Sequence, residues 1–111
     1  MLCAKALTTE NITRMKAVFI IFNQANTDRV EYMLDTLKIN GFTFFEQVQG
    51  RGTNGGEPRR GTHAWPEMNS AVMTVVEDDK VDELLMTVRK LDLRNPEVGV
   101  RAFVWNIEQT V

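Results

Sequence analysis

The succession of hydrophobic periods along this 111-residue chain predicts an α+β fold with the element order βαββαβ, the split βαβ arrangement of ferredoxin-like sandwiches. Three observations carry that prediction. Apolar runs at 17–22, 71–76 and 100–105 read as strands buried on both faces. Two stripes at helical spacing lie between strand signals. An eighteen-residue stretch rich in glycine, proline and arginine, 50–67, separates the second strand from the third. Right-handed crossovers then place both helices on one face of a four-stranded antiparallel sheet.

Residues 1–14 carry no clear period and read as a loose N-terminal extension; 15–111 form the single domain, and Met15 is a plausible start of translation. Ala17-Val18-Phe19-Ile20-Ile21-Phe22 is the first strand. Asn26, Thr27 and Asp28 are competent N-caps for the first helix, and Asp28 with Glu31 adds a weak capping box. Val30, Met33, Leu34 and Leu37 form its buried stripe, and Gly41 supplies its stop. Phe42 to Gln49 is the second strand, aromatic at Phe42, Phe44 and Phe45. Ser70 to Val76 is the third. Asp78 and Asp79 cap a second helix with the stripe Val81, Leu84, Leu85, Val88 and Leu91. Asn95-Pro96-Glu97 breaks the chain before the last strand, Val100 to Trp105.

Composition narrows the function classes. Hydrophobic residues make up 43% and charged residues 25%, an ordinary globular balance. A net charge of −2 supplies no general basic field, which argues against nucleic acid as a partner. Cys3 is the only cysteine, so the chain has no internal disulfide and no cysteine cage for zinc, and a reducing cytoplasm fits best. The apolar run from Ala17 to Phe22 is too short to insert across a bilayer. Strands one, three and four are apolar on both faces, yet only one face receives helices. Self-association through the bare face, closed by cyclic symmetry, accounts for the pattern.

The segment 50–67 holds five of the seven glycines and two of the three prolines. Loops beyond ~12–15 residues are commonly functional or disordered. Glycines at Gly50 and Gly52 let backbone N–H groups close on an anion. Arg51, Arg59 and Arg60 add charge-assisted contacts to phosphate or carboxylate, or to a partner. His63, the single histidine, and Glu67 are the metal-ligand candidates, though one chain cannot complete a four-ligand site from them. No nucleophile–base arrangement emerges, so the chain reads as a binding protein and not an enzyme. Trp105 and the phenylalanine cluster read as core or subunit contact.

With the loop placed, residues 15–107 resemble the nitrogen regulatory protein PII superfamily. The βαββαβ order and the long excursion between strands two and three are similar to that family, whose excursion is the T-loop. Gly50-Arg51-Gly52 resembles the Gly-x-Gly at the T-loop entrance, Arg60-Gly61 the Arg-Gly at its return. Arg101-Ala102-Phe103-Val104 resembles the Lys-Ile-Phe-Val run of the last strand, with Arg101 in place of a phosphate-contacting lysine. The resemblance implies a homotrimeric signalling protein with ligands in the clefts between subunits. It implies an adenine nucleotide (ATP or ADP) or another small anion at Gly50, Gly52, Gly99 and Arg101. It also implies regulation of a membrane transporter or metabolic enzyme through the loop. Leu93–Gly99 is short and carries one glycine where the family has a glycine-rich loop, and the only tyrosine, Tyr32, lies in the first helix. Those departures mark a divergent PII-like relative. The alternative is a metal-responsive trimer of CutA-like architecture built on His63.

Overall fold

The computed structural model describes residues 14–49, 68–94 and 99–111. Among these residues the chain forms β1 (Met15–Asn23), α1 (Thr27–Thr36), β2 (Thr43–Val48), β3 (Asn69–Glu77), α2 (Val81–Arg94) and β4 (Val100–Asn106). The strands make one antiparallel sheet in the order β2-β3-β1-β4. This is the predicted α+β architecture, with β1 and β3 at the centre and β2 and β4 as edges.

Strand alternation divides the sheet into two faces. Val18, Ile20 and Phe22 of β1, Val72 and Val76 of β3 and Val100 of β4 are buried with Val30, Met33 and Leu34 of α1 and Val81, Leu84, Val88 and Leu91 of α2. Both predicted helical stripes therefore face the same side of the sheet. Full burial of a side chain such as Leu34, Leu84 or Phe22 stabilises the fold by roughly 1.5–3 kcal/mol each. Phe44 joins this core and meets Phe22 with ring centroids 6.4 Å apart.

The opposite face is uncovered. Register aligns Val75, Ala17 and Trp105 in one row, Thr43, Met73, Phe19 and Phe103 in the next, and Phe45, Ala71, Ile21 and Arg101 in a third. Phe19 and Phe45 reach across β3 to a centroid distance of 6.2 Å. Even so, Phe45, Val75, Trp105 and Phe103 stay 40%, 47%, 45% and 54% exposed. The phenylalanine cluster thus splits, with Phe44 in the core and Phe45 on the open face.

The helix boundaries differ from the sequence reading in three places. Gly41 does not stop α1. Helix α1 ends at Thr36 with Leu37 as its C-cap, and Lys38 takes the left-handed conformation at φ 60°. Lys38 N–H donates to the Asp35 carbonyl at 3.0 Å and Ile39 N–H to the Leu34 carbonyl at 2.9 Å, the two bonds of a Schellman stop. Ile39 and Leu34 are both buried in the core, so core burial holds a lysine where glycine is usual. The Lys80 ammonium donates to the Leu37 carbonyl at 2.9 Å, placing a cation at the negative end of α1.

The Asp28–Glu31 capping box does not form either. A 3-10 turn, Gln24–Asn26, precedes α1, and its cap is Asn23, whose Oδ1 accepts from Ala25 N–H at 2.9 Å. Asn26 makes no side-chain cap because its Oδ1 instead accepts from Arg29 Nη1 at 3.2 Å. Likewise Asp78 and Asp79 are not caps. They lie inside a 3-10 turn (Asp78–Lys80) preceded by Glu77, and the Asp78 N–H donates to the Arg14 carbonyl at 2.7 Å. Their charge still suits the positive end of α2. In β2, Glu46 and Gln47 stand against the single Ser70, and Gln47 sits at φ 55°. That is a one-residue bulge on an edge strand.

Candidate functional site

Two of the residues singled out for anion binding fall within the described structure, at the start of β4. Gly99 has φ 60°, a conformation in which a Cβ would be strained. It turns the chain into the edge strand. Arg101 follows one residue after the buried Val100. The Arg101 Nη1 donates to Asp92 Oδ1 and to the Val100 carbonyl, at 3.0 and 2.9 Å. The same Asp92 oxygen accepts from Val100 N–H at 3.0 Å. One carboxylate from α2 thereby ties down both the backbone entry to β4 and the arginine. With Arg101 67% exposed and Asp92 28% exposed, the pair is open to solvent on the arginine side.

Asp92 is the residue that the sequence reading missed. Its signal was present: it lies in the last turn of α2, where the helix dipole disfavours an acid. An acid in such a place has a reason outside its own helix, and Arg101 with the Val100 N–H provides it.

The sheet register fixes where this arginine stands relative to the long loop. Phe22 pairs with Val100 and Asn23 with Asn69, so the start of β4 and the start of β3 lie at the same end of the sheet. The chain leaves β2 at Val48, paired with Asn69, at that end too. Gln24 N–H donates to the Met68 carbonyl at 3.0 Å, fastening the return of the loop to the turn after β1. Yet β2 and β4 are opposite edges. Three inter-strand spacings, about 14 Å, separate them. Within one chain, Arg101 and the exit from β2 share an end of the sheet but not a pocket.

Gly50, Gly52, Arg51, Arg59, Arg60, His63 and Glu67 lie outside the described residues, as do residues 1–13 of the proposed extension. Among the described residues no three or more His, Cys, Asp and Glu side chains group to hold a metal ion. No helix among them is long and apolar enough to cross a membrane.

The family model for nitrogen regulatory protein P-II matches residues 15–111. A search of curated proteins found no match. Among solved structures, the chain is similar to CPII, a nitrogen regulatory PII-like protein from Thiomonas intermedia K12 solved with ADP, AMP and bicarbonate. The likeness has TM-score 0.69 and 20% identity, over 84% of this chain and 85% of that one. A PII-like signaling protein from Thermus thermophilus is similar at TM-score 0.61 and 20% identity, over 84% and 85% of the two chains. A DUF3240 family protein from Shewanella baltica gives TM-score 0.66 and 15% identity, over 88% and 94%. At such identities the likeness carries the fold.

Proposed function

Because the chain belongs to the nitrogen regulatory protein P-II family, we propose that it is a regulatory protein and not an enzyme. It assembles as a homotrimer in the cytoplasm and binds a small anion, an adenine nucleotide, in the clefts between subunits. Its domain is 15–111, with 1–14 as an appended extension. The observation that carries this reading is the placement of Arg101 and the β2 exit at one end of the sheet but on opposite edges. Neither edge closes a pocket on its own. Two copies set side by side bring the β4 edge of one to the β2 edge of the next, and a ligand between them meets both. The uncovered apolar face supports the assembly, since contiguous apolar patches of this kind mark association surfaces. CPII from Thiomonas, solved with ADP and AMP, supports the ligand class.

Each residue then has a role. Arg101 exchanges Asp92 for phosphate, a charge-assisted and often bidentate contact. Gly99 admits the backbone close to the ligand. Gly50 and Gly52 offer N–H groups from the loop, and Arg51, Arg59 and Arg60 meet the regulated transporter or enzyme. Ligand binding at the loop base biases the loop and so the docking. The test is titration calorimetry of ATP, ADP and cyclic AMP into protein whose mass is fixed by light scattering. Saturable binding near one site per chain in a trimer, lost in Arg101→Gln, is the expected result. A well-folded trimer that binds none of the three removes the nucleotide reading.

A further inference from the structure

The helix layer carries a second feature that the cleft reading does not use. Helices α1 and α2 leave between them an open groove of about 560 Å³. Met33, Leu37 and Leu91 supply its apolar lining, and Arg29, Lys90 and Arg94 stand around it with Asp28 as the one acid. The Phe22–Val100 register puts the start of α1 and the end of α2 at the same end of the sheet. All three cations therefore gather at one end of the groove, in a chain whose net charge is −2.

Helix stability explains only part of this charge. Lys90 and Arg94 suit the negative end of α2, but Arg29 sits in the first turn of α1, where a cation is unfavourable. Lys90 and Arg94 form no ion pair among the described residues. Around the same end and along the adjoining ridge, Tyr32, Met86 and Leu93 are exposed on the helices. Apolar floor, exposed large side chains and a cationic rim together make a surface that recognises an amphipathic anion.

We propose that this groove is the docking site for an acidic amphipathic helix of a partner protein. Residues 28–37 of α1 run along about 13 Å of groove, the rise of nine helical residues, which seats two to three turns of a partner helix. The partner's apolar stripe lies on Met33, Leu37 and Leu91, and its carboxylates meet Arg29, Lys90 and Arg94. The site uses neither the bare sheet face nor the cleft at Arg101, so it stands or falls apart from nucleotide binding.

The probe is a fluorescein-labelled peptide of about twelve residues with leucines in one helical stripe, glutamates beside it and alanines elsewhere. Binding to the intact chain is followed by anisotropy and mapped by amide shifts in ¹H–¹⁵N spectra. The expected result is saturable binding with shifts confined to 28–37 and 86–94, weakened at least fivefold by Arg29→Glu and by Lys90→Glu. Arg29→Glu also removes the bond from Arg29 Nη1 to the buried Asn26 Oδ1, so its urea midpoint is measured alongside; Lys90→Glu, at an exposed position, carries the test if that midpoint falls. Shifts on the open sheet face, binding unchanged by either reversal, or no saturation overturns the proposal. So does occupation of the groove by ADP or inorganic phosphate when the peptide leaves it unperturbed.

Discussion

Replacing Asp92 with asparagine separates the two tasks of that carboxylate. Its Oδ1 accepts from the Val100 N–H and from Arg101 Nη1, both at 3.0 Å. Asparagine keeps an oxygen for the backbone donor and removes the charge that holds the arginine. An ion pair with its arginine 67% exposed contributes only about 0.5–1 kcal/mol. The variant should therefore lose about that much stability, read as a fall in urea midpoint at fixed protein concentration. In the proposed cleft the same pair opposes the ligand, because Arg101 must leave Asp92 to reach a phosphate. Removing about 0.5–1 kcal/mol of competition should tighten ADP binding about two- to fivefold, an advantage that shrinks as salt rises. Arg101→Gln should weaken ADP at least tenfold, since a charged hydrogen bond contributes about 1.5–3 kcal/mol. Calorimetry on the three proteins decides. If Asp92→Asn weakens ADP as far as Arg101→Gln does, Asp92 orients the arginine for the ligand, and the competition argument is wrong.

Other perturbations reach other parts of the molecule. Leu84→Ala, at a fully buried position beneath α2, should cost about 2–5 kcal/mol in chemical denaturation; a cost under about 1 kcal/mol would mean that the helix layer does not pack as described. Lys38→Gly should stabilise the domain by about 0.5–1 kcal/mol by relieving the left-handed backbone at φ 60°. A loss of stability there would show that the lysine side chain contributes more than its backbone costs. Phe103→Asp, 54% exposed on the open face, should shift the light-scattering mass toward the monomer while leaving the far-ultraviolet spectrum intact. An unchanged mass would move the assembly surface elsewhere.

The strands and helices were legible because their signals are local and redundant. Val30, Met33 and Leu34 recur at helical spacing, as do Val81, Leu84 and Val88, and β1 is apolar at six consecutive positions rich in β-branched and aromatic residues. The termini were not, because they are decided by tertiary contacts. Ile39 is drawn into the core, which turns the chain at Lys38 before a glycine is reached. Asn26 looked like a cap until Arg29 took its oxygen, and Asn23 capped the preceding turn instead. At the site, the family resemblance marked Gly99 and Arg101, whereas Asp92 belongs to another element and meets Arg101 only through the fold. The helix groove was hidden for the same reason, since its cations come from two helices far apart in sequence.

The placement of the two edges has a thermodynamic consequence for a protein of this design. A small domain with helices on one sheet face has a single core, and the apolar side chains of its other face gain burial only from a surface outside the chain, in the proposed assembly another copy. If the anion site spans the β4 edge of one copy and the β2 edge of the next, the ligand binds the assembly and not the separated chain. Linkage then requires that ligand strengthen assembly by the same free energy by which assembly strengthens ligand binding. In that arrangement Asp92 would modulate the coupling from within one chain, because it holds Arg101 when no anion is present to compete. In the proposed assembly the uncovered face, the opposed edges and the latched arginine are parts of one equilibrium, and a change in any of them should be read at the other two.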